Sequence, residues 1–536
     1  MPKFTAIFLI LAVLLSSCTR SAPLKIENTP ESVATLENPG LPTGVPVQTF
    51  LPPTRMPGEV ISSPTPNGEV AAFPTFTAIP ENATLQTGPT ATPGPQSYTV
   101  QAGDFPSLIA EKFGISTDEL LAANKLGRDA VIFPGDTLII PISSTPSASA
   151  TDGSAPRAVS SSDYFKILPD SELVYGPLSS LLDVNAYIQK AGGYLAFYTD
   201  DINGETLTGT QILMKVAQNY SVNPRVLLAM LEYRAQWVTN ANPAPSTTYN
   251  PIGYVDDFHQ GLYRQLTWTA NMLNEGFYRW KEGRVQSWTL VDGTQVVAQP
   301  GINPGTAAIQ HVFASLDTQD TWAIDTGPNG LYATYNKMFG YPFDFAIEPL
   351  LPAGLTQPVL SLPFQAGELW QFTGGPHAGW DSGSAWAALD FAPPGEPLGC
   401  APSEAWTTAV APGMIVRASD GAVVEDLDGD GLEQTGWTIL YMHMESRYRV
   451  QPGTIVQTGD RIGHPSCEGG LANADHLHLA RRYNGLWIPA ADPQLPFVLD
   501  NYVTTGNEVE YDGWLTGNGK VVEAWDGSNM INQIQR

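Results

Sequence analysis

The sequence predicts a multidomain α+β protein: a small βααβ module, a mostly helical middle domain and a mainly antiparallel β C-terminal domain. Three observations carry that expectation. Apolar residues between Tyr98 and Pro141 follow the order strand, helix, helix, strand. From about 161 to 350 they recur every three to four residues, the period of a helix face. Between 355 and 495 they alternate instead, in short runs broken by glycine turns, as in an antiparallel sheet. The length of 536 residues suits several domains of ~100–200 residues each.

Charge narrows the function classes. The formal net charge is −27, and only 15% of residues are charged, against ~25% in an average domain. With 46 Pro and 50 Gly, that deficit points to extended uncharged segments beside the folded parts. A nucleic-acid binder needs a Lys/Arg footprint, which this balance argues against. Docking on anionic lipid through a basic patch is disfavoured for the same reason.

The elements follow in chain order. Residues 1–18 hold Lys3, then the apolar run Phe8–Leu15, too short for a membrane span of ~20 residues. That run reads as the core of a secretory signal. Its end, Leu15-Ser-Ser-Cys18, resembles the lipobox of bacterial lipoproteins. The resemblance implies lipidation of Cys18, which becomes the mature N-terminus, and an extracytoplasmic chain anchored to the membrane and facing the cell wall. Residues 19–96 show no periodicity, and 15 of the residues from Ser21 to Gln96 are proline. Such a segment buries no core and is expected to be a disordered Pro/Thr-rich tether. Its reach runs from ~50 Å as a coil to ~240 Å as polyproline II.

Residues 97–142 form the small module. Tyr98-x-Val100, Gly103-Asp104, Ile109-Ala110, Phe113-Gly114, Leu120, Asn124, Leu126 and Pro134-Gly-Asp-x-Leu138-x-Ile140-Pro141 together resemble the LysM carbohydrate-binding module. The resemblance implies binding of N-acetylglucosamine-containing glycans, most simply peptidoglycan. Phe105-Pro106 departs from the family's usual Thr-Leu in the loop expected to line the sugar groove. Residues 143–160 read as a second linker.

In the helical domain, 161–350, the stretch Tyr220–Tyr233 looks like the catalytic helix of lysozyme-like lytic transglycosylases. That resemblance makes Glu232 a candidate glycan-cleaving acid. Tyr233 stands where that family usually has Ser, and a structural helix with a capped or solvated Glu232 is the competing reading.

The densest chemistry lies in 355–498. Five of the seven histidines fall between His377 and His478. His476-Leu-His478 on a strand puts both imidazoles on one face, with Leu477 and Leu479 on the other. One ligand and one proton-handling neighbour suit that arrangement, because catalytic zinc takes three protein ligands and leaves a position for water. Gly375-Pro-His377, Ala388-Leu-Asp390-Phe-Ala-Pro-Pro-Gly395, Leu440-Tyr-Met-His443-Met, Val456-x-x-Gly459-Asp-x-Ile-Gly463 and Asp475-His-Leu-His478 resemble the lysostaphin-type (LytM-like) zinc endopeptidases. The resemblance implies Zn²⁺ on His377, one aspartate and His478, with catalytic roles for His443 and His476. Two aspartates compete. Asp381 has the family's His-x-x-x-Asp spacing, while Asp390 has its downstream context and sits at a strand end. Asp390 is the expected ligand, because a strand end holds a side chain better than a Gly/Ser-rich turn. His464, in a glycine-rich turn, reads as solvated.

Cys400 and Cys467 flank the same site, and an oxidising compartment makes them a disulfide pair. Asp426, Asp428 and Asp430 have the spacing of the first half of a calcium loop, but Trp437 stands where an EF-hand needs Glu. A Ca²⁺-stabilised hairpin tip and a plain acidic turn both remain open. Residues 499–536 read as a polar C-terminal tail. The combined expectation is a wall-binding zinc endopeptidase acting on peptidoglycan cross-links. A non-catalytic wall-binding regulator and a transglycosylase acting through Glu232 are the rivals.

Overall fold

The structure is a computed structural model that describes residues 96–100, 109, 113, 117–126, 136–141, 165–299, 301–395 and 399–536. The signal segment, Cys18, nearly all of the tether and the 143–160 linker lie outside these residues. The chain is a multidomain α+β protein.

In the small module, β1 (Gln96–Thr99) and β2 (Thr137–Ile140) pair antiparallel, with α1 (Thr117–Ala123) between them in sequence. Val100, Ile109, Leu120, Leu138 and Ile140 form its core. Asn124 ties helix to strand. Its amide donates to Leu120 O and Ile139 O, each at 2.8 Å, and its Oδ1 accepts from Ile139 N. One side chain thus satisfies backbone groups of two elements.

The middle segment is mostly helical, with two short hairpins. α2 (Gly209–Tyr220) starts at a capping box. Thr208 Oγ1 accepts from Gln211 N, and the Gln211 side chain accepts from Thr208 N at 2.8 Å. α3 (Pro224–Ala235) starts with Asn223 accepting from Arg225 N and Pro224 in the first turn. α4 (Leu262–Lys281), α5 (Pro304–Ala314) and α6 (Leu331–Phe339) complete the bundle around Leu227, Leu231, Leu273, Phe277, Val312 and Tyr335.

The C-terminal segment builds a nine-stranded antiparallel sheet. Its strands are β3 (Leu369–His377), β4 (Ala388–Ala392), β5 (Gly413–Ser419), β6 (Ala422–Asp426), β7 (Trp437–Met442), β8 (Ile455–Val456), β9 (Leu477–Tyr483), β10 (Leu486–Trp487) and β11 (Gln533–Gln535). The spatial order is β8-β5-β6-β7-β9-β4-β3-β11, with β10 paired to β9. Both faces are covered. Leu389, Phe391, Val423, Ile439, Tyr441, Leu477 and Leu479 pack into the β-domain's own core. Ala388, Ala422, Val424, Leu440 and Ala480, one residue out of step, share a core with the helices. Such double burial explains why β9 is buried through to Arg482. Arg482 donates to Glu433 at 3.1 Å and to Gln218 O of α2. Arg417 donates to the same glutamate and to Asn219, so a buried carboxylate with two guanidiniums joins sheet and helices.

The segment expected as a tail is built into the fold. Val498–Leu499, Tyr502–Thr505, Trp514–Gly517 and Lys520–Glu523 make a four-stranded sheet, and β11 pairs with β3 at the large sheet's edge. These pairings are non-local, and a short polar run carries no local sign of them.

Candidate metal centre

Register assembles the centre. His478 on β9 lies directly opposite Asp390 on β4, and His377 at the end of β3 lies opposite Ala388. Strand period two puts His478 and Asp390 on the face that carries Ala480 and Ala388. The donor atoms of His377, Asp390 and His478 lie within 4.8 Å of one another, and all three residues are buried.

The second nitrogen of each ring sets what faces inward. His377 Nδ1 donates to Gly375 O at 2.8 Å, leaving the Nε2 lone pair free. His478 Nε2 donates to Gly379 O at 3.1 Å, leaving the Nδ1 lone pair free. These two nitrogens are 2.9 Å apart, and they stand 3.2 and 3.3 Å from Asp390 Oδ1. Asp390 Oδ1 is buried without a hydrogen-bond partner. Two lone pairs and a carboxylate oxygen turned together in a dry site repel unless a proton or a cation sits among them. Burial opposes charge on Asp390, yet His377, His478 and His476 hold its carboxyl well below the usual range. Burial likewise opposes charge on His377, but Asp390 and the Gly375 carbonyl outweigh it and raise its pKa. Burial pulls His478 down. Two imidazoles and one carboxylate, each ring oriented by a backbone carbonyl, fit a catalytic zinc site.

Asp381 is elsewhere. It sits in an exposed turn at φ +54° and accepts from Tyr220 OH at 2.9 Å.

Two further imidazoles stand beside the cluster. His476 Nδ1 donates to Ala474 O at 2.9 Å, and its Nε2 is 4.0 Å from Asp390 Oδ1. His443 follows β7 at φ +65°, a left-handed backbone that costs energy away from glycine. The surroundings hold it there: its carbonyl accepts from Ser466 N at 2.7 Å and its Nδ1 donates to Glu468 O at 2.9 Å. The His443 and His476 rings are 4.5 Å apart. Burial, then His476 and His478, pull His443 down to about 3, so it is neutral at pH 7 with Nε2 as an acceptor.

Cys400 and Cys467 form a disulfide, 67 residues apart in sequence. It fastens the loop that supplies both Ser466 and Glu468 to His443. The Cys400→Ser/Cys467→Ser variant should lose up to about 4 kcal/mol of stability through the freed unfolded chain. Urea unfolding, followed without reductant, checks this.

Known proteins resemble the chain in separate stretches. The LysM domain model matches residues 98–141, and the model of the LasA N-terminal domain matches residues 166–351. The chain carries a LysM domain and a LasA N-terminal domain. A probable autolysin, SsaALP of Staphylococcus aureus, is 51% identical over 45 residues, covering 8% of this chain and 17% of that relative. Among solved structures, the M23 metalloprotease pseudoalterin from the deep sea is 25% identical with a TM-score of 0.27, covering 34% of this chain and 100% of that one. The lysostaphin catalytic domain of Staphylococcus simulans is 26% identical with a TM-score of 0.16, covering 23% of this chain and 87% of that one.

Glu232 lies in the LasA N-terminal domain, at the last turn of α3. Its carboxylate accepts from Val238 N and Thr239 N, each at 3.1 Å, and from the Thr239 hydroxyl at 2.5 Å. These three bonds close the turn that follows α3. The Asp426, Asp428 and Asp430 carboxylates likewise face their own loop. Asp426 accepts from Asp428, Gly429 and Gly431 N–H groups, Asp428 from Asp430 N, and Asp430 from Leu432 N and the Thr435 hydroxyl. These contacts hold an acidic turn in which one oxygen of each carboxylate lies within 4.8 Å of the others. His464 is buried, not solvated: its Nδ1 donates to Ala405 O, and its ring lies 3.9 Å from that of Trp406.

The residue that sequence reasoning missed is Tyr511. Its ring stacks on His377 with centroids 4.3 Å apart, and its carbonyl accepts from Gly375 N at 2.8 Å. No local motif marks it, because only the fold of the last segment brings it there.

Proposed function

We propose that this chain is a zinc endopeptidase that cuts peptide cross-links of peptidoglycan, directed to its substrate by the LysM domain. The observation that carries the reading is the convergence of His377 Nε2, His478 Nδ1 and Asp390 Oδ1, which has no hydrogen-bond partner, in one buried cluster. His377, Asp390 and His478 would hold the zinc, which polarises a scissile carbonyl and acidifies a water. The protein's own groups do the rest. Neutral His443 offers Nε2 as a proton acceptor. His476, its Nδ1 held by Ala474 O, presents Nε2 beside the cluster and either takes or returns a proton. Tyr511 shields the outer face of His377 and keeps that ring in its plane. Anchoring through lipidated Cys18 rests on residues 1–18, while the LysM match and the autolysin relative also support an extracytoplasmic, wall-facing location.

Incubating the full chain with purified peptidoglycan and zinc tests the reading, with mass spectrometry of the new ends. New peptide amines and carboxyls, abolished by a chelator and retained in Glu232→Gln, are expected. Anhydro-sugar ends lost in Glu232→Gln would move the chemistry to the LasA N-terminal domain. Bound glycan without any cleavage would favour a wall-binding regulator.

A further inference from the structure

Residues 378–387 separate the ligand candidate His377 from β4, which carries Asp390. The internal bonds of this Gly/Ser-rich loop run from Gly379 N to Ala385 O at 3.0 Å, Trp380 N to Ser384 Oγ at 2.9 Å, Ala387 N to Ala385 O at 2.7 Å, Ser382 N to Asp381 Oδ1 at 2.7 Å, and Ser384 N and Oγ to Asp381 O, and none of them reaches the strands on either side. A loop of this composition has much backbone freedom to lose on ordering. Yet its Gly379 carbonyl is the group that orients His478.

The LasA N-terminal domain adds a restraint from outside the loop. Tyr220 OH, at the end of α2, donates to Asp381 Oδ2 at 2.9 Å. On α4, Asn271 Oδ1 accepts from Gly383 N at 2.7 Å, and Asn271 Nδ2 donates to Ser382 Oγ at 3.2 Å. The fit leaves no slack. A Cβ on Gly383 would stand 2.1 Å from Asn271 O, and one on Gly379 would stand 2.7 Å from the Trp487 ring. Trp487 is itself held to the helices, since its backbone N donates to Tyr278 OH at 3.0 Å.

We propose that the LasA N-terminal domain is a working part of the metal centre: Tyr220 and Asn271 clamp the 378–387 loop and thereby fix the Gly379 carbonyl that orients His478. Tyr220 and Asn271 are positioning residues, and the proposal rests on the reading of His377, Asp390 and His478 as zinc ligands. The distance from either residue to the donors is bridged by one loop, so release of the clamp acts on the metal through the His478 ring.

The test compares Tyr220→Phe, which removes one hydroxyl, and Gly383→Ala, which drives a methyl into the Asn271 carbonyl. Neither touches a donor. The full chain is loaded with zinc, and competition with a coloured chelator reads its affinity. The visible spectrum of the cobalt-loaded chain reports ligand geometry in the molecules that remain folded, which a mere loss of stability leaves unchanged. Both variants should bind zinc about tenfold more weakly, with an altered cobalt spectrum. If Gly383→Ala does not fold, Asn271→Ala takes its place. Wild-type affinity and spectrum in these variants overturn the clamp and leave the zinc reading standing. A wild-type chain that binds zinc no better than His478→Ala overturns the zinc reading and the clamp with it.

Discussion

Alanine at His478 is expected to remove zinc and peptidoglycan cleavage together. Its Nδ1 is one of the two nitrogen donors that face Asp390 Oδ1. Without it the centre keeps one imidazole and one buried carboxylate, too few donors for a stable catalytic zinc site. The lost ring also removes one of the side chains that hold the Asp390 carboxyl low, so the carboxyl shifts toward its protonated form. Cleavage should drop by about 10³-fold or more, since a zinc held by these donors would supply both carbonyl polarisation and an acidified water. Metal content of the purified variant, measured beside its activity, checks both halves. Full zinc occupancy in His478→Ala would refute the assignment of donors.

Alanine at His476 should separate the two properties. His476 stands on the same face as His478, but its Nε2 is 4.0 Å from Asp390 Oδ1 and it lies outside the three-donor cluster. Its ring instead lies against His443, at 4.5 Å between centroids. Activity should fall about 10²–10⁴-fold, the usual contribution of a positioned acid or base. Zinc content should remain at the wild-type level. Loss of zinc in His476→Ala would move this residue from proton handling to ligation.

The histidine pattern was readable because a strand repeats every two residues. His476-Leu-His478 needs only that period to put two imidazoles on one face. The partner carboxylate was harder. Asp381 fits the expected spacing and Asp390 the downstream context, and it is strand register that sets Asp390 opposite His478. Tyr511 and the strand at Gln533–Gln535 gave no local signal, since each acts through a partner more than a hundred residues away. His464 misled for a related reason: a glycine-rich turn suggests solvent, but Trp406 covers the ring.

By itself, the sequence determined the module order, the residue types of the centre and the pairing of the two cysteines outside the signal segment. The order of segments and the shared face of His476 and His478 follow from composition and from periods of two and 3.6, local properties of the backbone. The donor set is what the family resemblance implies, and the cysteine pairing follows from two remaining thiols in an oxidising compartment. The tertiary structure alone decided which lone pairs converge, that both faces of the sheet are buried, and that Tyr220 and Asn271 hold the loop beside His478. Each of these depends on packing between segments distant in sequence, where close approach and shared burial rather than local propensity choose the partner.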